Sequence, residues 1–205
     1  FDQLMEVQRQ RSRASFKISG VMETSEALQQ LVAQGVSTTF SGHDRTEDQS
    51  VILALLTEDG AVNEVSEGQK VEVVCERTPF YGEAGGQVGD TGRMSGMGFT
   101  LEVETTQTTP GDLLVHVCEV LQGTVKVGEE VTLAVDREKR KATERNHTAT
   151  HILHYVLRNI LGDHVKQQGS YVGPEYFRFD FSHGEALSSE QLARIEKLVT
   201  QRILE

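Results

Sequence analysis

The chain has 205 residues, of which 37% are hydrophobic and 25% are charged, and its formal net charge at pH 7 is −11. These values are typical of a globular protein with one large domain or two small ones. No apolar run approaches the roughly 20 residues of a membrane span, and the N-terminus lacks the layout of a signal peptide, so we predict no membrane partner. The acidic balance argues against nonspecific binding of nucleic acid by the whole surface.

The first 35 residues contain two predicted helical segments separated by Gly20. Residues 1–17 contain neither Gly nor Pro, which predicts an exposed helix, and residues 24–33 predict a short helix that Gly35 can end. These segments carry too little apolar surface to fold alone. We therefore expect residues 1–35 to be the tail of a preceding domain, and the start at a Phe rather than a Met suggests an excised fragment.

Between residues 37 and about 135 the hydrophobic side chains recur with a period of two. Glycine-containing turns separate the apolar stretches, and no long helix is predicted between them. This pattern indicates a small antiparallel barrel, which we assign to residues 36–136. The candidate strands are residues 51–56, 70–75, 99–103, 113–120 and 130–135.

Two cysteines lie within these alternating apolar stretches. Neither Cys75 nor Cys118 has the spacing of a metal site or a redox motif. The pattern therefore predicts two buried thiols on strands. Because buried free thiols suit a reducing compartment, we predict a cytoplasmic location.

The segment from Thr78 to Gly92 differs from an ordinary turn, because it holds five glycines within eleven residues and its backbone can approach a partner closely. It is not a phosphate-binding loop, since the Gly-Lys-Ser/Thr ending is absent, and the spacing of a dinucleotide fingerprint also fails. Two alternatives remain. The segment is either a tight barrel hairpin, or a loop placed against a ligand or against the next domain.

Residues 136–161 contain neither Gly nor Pro and predict a helix that Gly162 ends. His147 and His151 are four residues apart, so both imidazoles can reach one zinc ion from the same helix face. Two histidines supply only half of the usual four zinc ligands. We expect His154, near the same face, to pack or to form a hydrogen bond rather than to act as a third ligand.

Other hydrolytic chemistries are disfavoured. The His-x-x-x-His spacing resembles the zinc-protease motif, but Thr148 stands where that motif needs a glutamate base. No serine lies in a nucleophile-elbow context. No cysteine near the end of the barrel or in the following unit can pair with these histidines.

A basic cluster lies at the start of the histidine-bearing helix. Its members are Arg137, Lys139, Arg140, Lys141 and Arg145. A solvated helix face and contacts to phosphate groups explain this cluster equally well, and the sequence leaves both alternatives open.

The residues after this helix predict a small α+β unit. Residues 176–181 alternate, with aromatic side chains on one face and charged side chains on the other. Ser188 can open a last helix over residues 189–204, with Gln191 as its reciprocal capping partner. That helix carries apolar side chains along one face, as expected for a helix that packs on a sheet or on another helix.

Three motifs resemble alanyl-tRNA synthetases. They are Tyr-Gly-Glu-Ala-Gly-Gly-Gln-Val-Gly-Asp-Thr-Gly at residues 81–92, Asn-His-Thr-Ala-Thr-His-Ile-Leu-His at residues 146–154 and Phe-Asp-Phe-Ser-His at residues 179–183. The resemblance spans nearly the whole chain in the family's order. It implies an α+β fold in which a helical tail of the aminoacylation module (1–35) precedes a translation-factor-like β-barrel (36–136) and the first part of an editing domain (137–205).

The resemblance also implies a zinc site and its substrate contacts. In the family an editing zinc is held by a His-x-x-x-His pair, which matches His147 and His151, and by a later Cys-x-x-x-His pair, which would lie beyond Glu205. Thr150 and Gln167 match positions implied to contact the aminoacyl group or the terminal adenosine, and they are the candidate catalytic residues. Candidates for binding substrate or the acceptor end of tRNA are Gly85, Gly86, Gln87, Arg137, Lys141 and Arg145. Candidates for supporting the site are His154, Asp180 and His183, the last two as a strand-end hydrogen-bond pair.

By implication, an upstream module of the parent protein attaches alanine to tRNA(Ala) with ATP and magnesium, and this region hydrolyses mischarged Ser-tRNA(Ala) or Gly-tRNA(Ala) with zinc. A pocket for alanine discriminates against glycine by only about 1–3 kcal/mol and rejects serine only roughly 100-fold, so a second site is needed. Thr150 is the candidate hydrogen-bond partner for a seryl hydroxyl. The sequence leaves open whether zinc orients the ester or activates water. The isolated fragment is expected to be inactive.

Two other functions remain open at this stage. One is a free-standing trans-editing hydrolase related to the synthetase, although such proteins usually begin near the barrel and the helix predicted over residues 1–17 does not fit that start. The other is a non-catalytic barrel that positions the acceptor stem of tRNA.

Overall fold

The computed structural model describes residues 26–109 and 111–204. In this part of the chain there are three helices, namely α1 (Glu26–Ala33), α2 (Arg137–Leu161) and α3 (Ser189–Leu204). The strands are β1 (Thr39–Phe40), β2 (Glu47–Thr57), β3 (Gly60–Val62), β4 (Glu64–Ser66), β5 (Lys70–Cys75), β6 (Arg77–Thr78), β7 (Gly92–Gly96), β8 (Phe99–Thr108), β9 (Leu114–Gln122), β10 (Thr124–Lys126), β11 (Glu130–Val135), β12 (Gln167–Val172) and β13 (Phe177–Phe181). The helix predicted over residues 1–17 lies outside the described residues.

Six of these strands close an antiparallel barrel in the order β2, β5, β9, β8, β7, β11. The barrel closes because β11 pairs on one side with β7 and on the other with β2. In this register Leu133 of β11 lies opposite Met94 on one neighbour and opposite Asp48 on the other. The predicted mixture of a small antiparallel barrel and an α+β unit is confirmed.

The barrel interior is filled by one face of each strand. Along β8, Phe99, Leu101 and Val103 are buried while the residues between them are more exposed, as expected from the two-residue period of a strand. They pack in one cluster with Val73 and Leu133 from other strands of the barrel. Each such side chain contributes about 1.5–3 kcal/mol when it leaves water, so the closed barrel has a substantial core of its own.

Both cysteines lie inside this barrel core, as the alternation predicts. Cys75 is the last residue of β5. Cys118 lies on the neighbouring strand β9, opposite Val71 of β5. Both thiols are free. Burial raises the pKa of Cys75 to about 12 and that of Cys118 well above its ordinary value, because a thiolate would have no solvent around it. These thiols therefore stay protonated at neutral pH.

Helix α1 covers part of the outer surface of the barrel. Leu28 is buried in a second apolar cluster that includes Leu56, Val74 and Val115 from the barrel strands. Because β2 contributes to both clusters, its apolar run is continuous rather than alternating. The described part of residues 1–35 therefore packs against the barrel.

Helix α2 begins and ends where the sequence indicates. The Asp136 side chain accepts hydrogen bonds from the backbone N–H groups of Glu138 and Lys139, which satisfies two of the donors left free at a helix start. At the other end the N–H of Gly162 donates to the Arg158 carbonyl, and Gly162 has a φ of 114° that other residues rarely adopt. These caps fix the two ends of the histidine-bearing helix.

Helices α2 and α3 pack with the antiparallel β12–β13 hairpin to form the α+β unit. Their shared core contains Val156, Leu157, Val165 and Ile195. The predicted cap of α3 is confirmed, since the Ser188 N–H donates to the side chain of the residue three positions later and the Ser188 hydroxyl accepts from that residue's N–H.

Several short strands were not predicted from the sequence. They are β1, β3, β4, β6, β7 and β10, and the longer β12 was also missed. Most have two to five residues, which is too short for a two-residue period to stand out. None of the helices between residues 26 and 204 is long and apolar enough to cross a membrane.

Candidate functional site

His147 and His151 stack against each other on one side of α2. Their ring centroids are 5.0 Å apart and their planes differ by 22°. The i, i+4 spacing accounts for this arrangement, because residues four apart lie one above the other on a helix. The structure thus brings together the two histidines predicted to share a metal ion.

His147 also has a partner that the sequence did not predict. Its Nδ1 lies 2.5 Å from the side-chain oxygen Oε1 of Gln87, which belongs to the glycine-rich segment 60 positions earlier in the chain. A carboxamide oxygen can only accept a hydrogen bond, so His147 carries its proton on Nδ1 in this contact. The Nε2 of the neutral ring is then free of hydrogen and available as a donor atom for a metal.

The donor set fits zinc as two of its usual four ligands. Both nitrogen donors come from adjacent imidazoles, and one of these rings is held by an amide oxygen, as is common for metal-binding histidines. Residues 26–109 and 111–204 contain no group of three or more His, Cys, Asp or Glu side chains that could hold a metal. These residues alone therefore do not complete a zinc site.

His154 packs against the β12–β13 hairpin. Its ring centroid lies 5.0 Å from that of Phe179 on β13, with the planes tilted by 42°. Its Nε2 is buried and has no hydrogen-bond partner among the described residues. His154 thus packs at the interface between α2 and the hairpin, in keeping with the supporting role expected from the sequence.

Thr150 is buried, with 5% of its surface exposed, on the same helix as the two stacked histidines. Its hydroxyl donates to the carbonyl of Asn146, at 2.9 Å, one turn earlier. The hydroxyl hydrogen is used in that bond, but the oxygen retains a lone pair that can accept another. The Asn146 amide donates in turn to the carbonyl of Gly173, at 2.7 Å, and so ties the β12–β13 turn to α2.

Gln167 and the two strand-end residues lie on the β12–β13 hairpin. Gln167 is exposed at the start of β12, opposite Phe181. The expected hydrogen-bond pair between Asp180 and His183 is not found. Asp180 accepts from Arg178, at 3.1 Å, and His183 bonds to a histidine in the loop before β12, at 2.9 Å. The error arose because Asp180 is paired along its own strand, with the side chain two residues before it.

The His183 partner is His164, and these two rings form a second stacked pair. Their centroids are 5.1 Å apart, and the Nε2 of His164 faces the Nδ1 of His183. One of these nitrogens must donate and the other accept. The neighbouring Ser182 hydroxyl donates to the His164 carbonyl, so this pair joins the start of β12 to the end of β13.

The basic cluster divides into buried and exposed members. Arg140 is buried, whereas Arg137, Lys141 and Arg145 are exposed. Arg137 donates through Nε to the Thr46 hydroxyl, at 2.6 Å. Lys139 is also exposed, and its Nζ lies 3.9 Å from the Asp136 carboxylate. The other two exposed cations, Lys141 and Arg145, lie four residues apart and share a helix face. The interpretation of the cluster as one solvated or phosphate-binding face is therefore wrong for Arg140.

Arg140 joins α2 to the barrel by way of Asp90. Its Nε lies 2.9 and 2.8 Å from the two carboxylate oxygens of Asp90, its Nη2 also contacts that carboxylate, and it donates to the carbonyls of Gly42 and Pro79. Asp90 additionally accepts from the backbone N–H of Tyr81, at 2.7 Å. A buried guanidinium needs such partners. Sequence reasoning missed this pair because a lone Asp in a glycine-rich segment carries no signal of its partner.

The glycine-rich segment lies against the α+β unit, which is one of the two alternatives drawn from the sequence. The N–H of Val172 donates to the Gly86 carbonyl, at 2.7 Å, and the Val88 N–H donates to the Val172 carbonyl, at 3.0 Å. Gly86 has a φ of +88°, and an added Cβ would lie 2.6 Å from the Ser170 carbonyl oxygen. Only glycine allows this approach.

The chain is similar in sequence to known proteins. The sequence model of the family described as tRNA synthetases class II (A) matches residues 1–139. The alanine–tRNA ligase of Chelativorans sp. (strain BNC1) is 42% identical over 205 residues, and those of two Thermus thermophilus strains are 43% identical over 206 residues. Each alignment covers 100% of this chain and 23% of the relative.

The chain belongs to the class II tRNA synthetase (A) family, since that family's model matches more than half of it. Within the family its similarity is to alanine–tRNA ligases, which confirms the resemblance drawn from the three sequence motifs. The chain spans about a quarter of the length of these relatives.

Proposed function

We propose that the parent protein attaches alanine to tRNA(Ala) with ATP, and that this region hydrolyses mischarged Ser-tRNA(Ala) or Gly-tRNA(Ala). The partners would be the acceptor end of tRNA(Ala) and the seryl or glycyl ester that it carries. The observation that carries the proposal is the stacked pair of His147 and His151, one turn apart on the helix that also carries the buried Thr150. Ligation with ATP and magnesium would belong to another part of the protein.

The relatives favour a ligase over a free-standing hydrolase as the parent. The family match begins at residue 1 and so includes the residues that precede the barrel. All three relatives cited above are named alanine–tRNA ligases and align with the whole chain. A cytoplasmic location and the domain boundaries at residues 35 and 136 are part of the same proposal.

His147 and His151 would hold zinc together with ligands from outside the described residues. The resemblance implies a Cys-x-x-x-His pair for that purpose. When bound, zinc would polarise the ester carbonyl or lower the pKa of a water molecule. The histidines would fix the position of the ion relative to α2.

Thr150 would recognise the seryl side chain. Because its own hydrogen is donated to the Asn146 carbonyl, its oxygen is oriented to accept a hydrogen bond from a seryl hydroxyl. Alanine has no hydroxyl and cannot form this bond. Such a site distinguishes serine from alanine by a hydrogen bond rather than by size. A small apolar pocket for alanine, as in the aminoacylation site, discriminates against serine only weakly.

Gln167, Lys141 and Arg145 would contact the tRNA. Gln167 is exposed at the start of β12, and the two basic residues are exposed on one face of α2. Amide groups can hydrogen-bond a terminal nucleotide, and cations on a helix face can contact phosphates. Gly85 is likewise exposed, at the tip of the glycine-rich segment, and is retained as a candidate contact.

The test is a deacylation assay with the zinc-loaded full-length protein and Ser-tRNA(Ala), with Ala-tRNA(Ala) as the comparison substrate. Thr150→Val keeps the shape of the side chain and removes the hydroxyl. We expect it to lower the rate of Ser-tRNA(Ala) hydrolysis about tenfold, the value of one hydrogen bond of about 1.4 kcal/mol. Hydrolysis of Gly-tRNA(Ala) should change much less, since glycine offers no hydroxyl.

The matched control is Thr148→Val. Thr148 lies on the same helix and its hydroxyl donates to the Glu144 carbonyl, at 3.0 Å, in the same manner, but it is exposed. The control should leave both rates unchanged. If the zinc-loaded wild-type protein leaves Ser-tRNA(Ala) intact, the editing function is wrong.

A further inference from the structure

The contact between Gln87 and His147 joins the barrel to the histidine pair. Gln87 is 8% exposed, so its side-chain oxygen is largely withdrawn from water and its 2.5 Å contact with Nδ1 is shielded. We propose that Gln87 is a positioning residue that fixes the tautomer and the orientation of His147. The relevance of this positioning to editing rests on the proposed function, but the contact between Gln87 and His147 is independent of it.

The backbone on both sides of Gln87 is held by one residue of β12. The Gly86 carbonyl accepts from the N–H of Val172, and the N–H of Val88 donates back to the Val172 carbonyl. Gln87 lies between these two bonds and forms a parallel bridge with Val172. The segment is therefore added to the β12–β13 hairpin as a short third strand, which fixes the direction of the Gln87 side chain.

Helix α2 holds the same segment from the other side. Asp90, three residues after Gln87, is paired with Arg140, and Arg140 lies two helical turns before His147. The helix that carries the histidine thus also anchors the loop that carries the amide. Because both ends of the contact are attached to α2, a movement of the barrel relative to the helix would have to break the buried Asp90–Arg140 pair first.

The tautomer has a chemical consequence. With its hydrogen on Nδ1 donated to Gln87, the neutral His147 ring presents the Nε2 lone pair, whereas an unheld imidazole exchanges between its two tautomers. A partner of this kind on the second nitrogen orients a metal-binding histidine and raises its basicity. Gln87 would therefore select which nitrogen His147 offers to a ligand.

The test measures the tautomer directly, by ¹⁵N NMR of the histidine side chains in the metal-free chain at about pH 8.5, well above the ordinary histidine pKa. We expect the Nδ1–H form of His147 in the wild type and a mixture of tautomers in Gln87→Leu. Gln87→Glu keeps an acceptor oxygen and should retain the Nδ1–H form. Gln87→Asn, whose amide is shorter by one methylene, should lose it even though the substitution is polar.

The control is Gln122→Leu, which removes an exposed amide at the end of β9, where Gln122 pairs with Thr100 of β8, and should leave the His147 signals unchanged. In the zinc-loaded full-length protein, Gln87→Leu should weaken zinc binding about 10- to 100-fold. An unchanged Nδ1–H tautomer in both Gln87→Leu and Gln87→Asn would overturn the inference. Loss of the tautomer with Ser-tRNA(Ala) hydrolysis unchanged would support the positioning of His147 and show that editing does not depend on it, whereas a wild-type protein that does not hydrolyse Ser-tRNA(Ala) would refute the editing function alone.

Discussion

His116 is buried inside the barrel, and its burial keeps the ring neutral at neutral pH. Its Nδ1 donates to the Val73 carbonyl, at 2.8 Å, so its Nε2 accepts from the Thr78 hydroxyl, at 2.8 Å. That hydroxyl in turn accepts from the N–H of Phe80. Burial lowers the pKa of His116 to about 4, since a charged imidazole would lose its water.

This pKa predicts how the folding stability changes with pH. The unfolded chain binds a proton at His116 near pH 6.5, whereas the folded chain binds it only near pH 4. The contribution of the neutral His116 ring to the free energy of unfolding is therefore fully present above pH 6.5 and is lost as the pH falls from 6.5 to 4. Between pH 7 and 5 the loss from this group should be about 2 kcal/mol, measured by urea unfolding. In His116→Gln the same pH change should cost less by that amount. An equal slope in the two proteins would contradict the prediction.

At the scale of single residues, the sequence indicated the histidine pair but not what holds it. The spacing of His147 and His151 predicts a stacked pair because helix geometry is local. Gln87 and Asp90 could not be assigned in this way, because their partners His147 and Arg140 lie 60 and 50 positions away. Contacts of that separation depend on how the barrel and α2 pack, which no local pattern encodes.

At the scale of elements, the close approach of the glycine-rich segment to β12 predicts different costs at two neighbouring glycines. Gly85 and Gly86 both have positive φ values, of 61° and 88°, but an added Cβ at Gly85 has nothing within 4 Å. Gly85→Ala should therefore cost only the backbone strain, about 1–2 kcal/mol. Gly86→Ala should cost about 1–3 kcal/mol more, because its Cβ would meet the Ser170 carbonyl.

Hydrogen exchange distinguishes this contact from a general loss of stability. In Gly86→Ala the N–H groups of Val88 and Val172 should exchange faster relative to those in the barrel core, since they donate the two bonds, to the Val172 and Gly86 carbonyls respectively, that define the contact. In Gly85→Ala the relative protection of these two groups should be retained. Equal unfolding free energies for the two variants would contradict the assigned contact.

The buried Asp90–Arg140 pair predicts a second effect at this scale. Removing one partner leaves an uncompensated buried charge, so Asp90→Asn or Arg140→Met should each lower the free energy of unfolding by about 3–5 kcal/mol. The double variant should recover much of that loss, since no charge then remains buried. A double-mutant cycle measures the coupling. Additive effects of the two single changes would show that the pair does not join α2 to the barrel.

Helices with clear capping residues and strands with a long apolar alternation could be predicted from the sequence. The last helix begins at the predicted residue because Ser188 and Gln191 form a local capping box. Strand β5 was likewise predicted over its full length, as a six-residue apolar alternation bounded by turns. Strand β12 was missed because its sequence, Gln-Gln-Gly-Ser-Tyr-Val, has little apolar alternation and is stabilised by β13 and by the glycine-rich segment.

At the scale of the whole molecule, the net charge of −11 limits how the chain can bind RNA. Under the proposed function, binding of tRNA would depend on a local group of cations, and the exposed pair Lys141 and Arg145 on α2 is the candidate. The double variant Lys141→Ala/Arg145→Ala should weaken binding of an acceptor-stem hairpin of tRNA(Ala). The slope of log affinity against log salt concentration should fall by about one to two, because each lost phosphate contact removes slightly less than one released counterion.

The control variant changes the net charge equally at another place. Arg194→Ala/Lys197→Ala removes two exposed cations from α3 and should leave the salt slope nearly unchanged if the contact is local. Titration of the hairpin at several salt concentrations, followed by fluorescence anisotropy, measures both slopes. If the two double variants weaken binding equally, the effect comes from net charge, and the face of α2 that carries Lys141 and Arg145 is not the RNA contact.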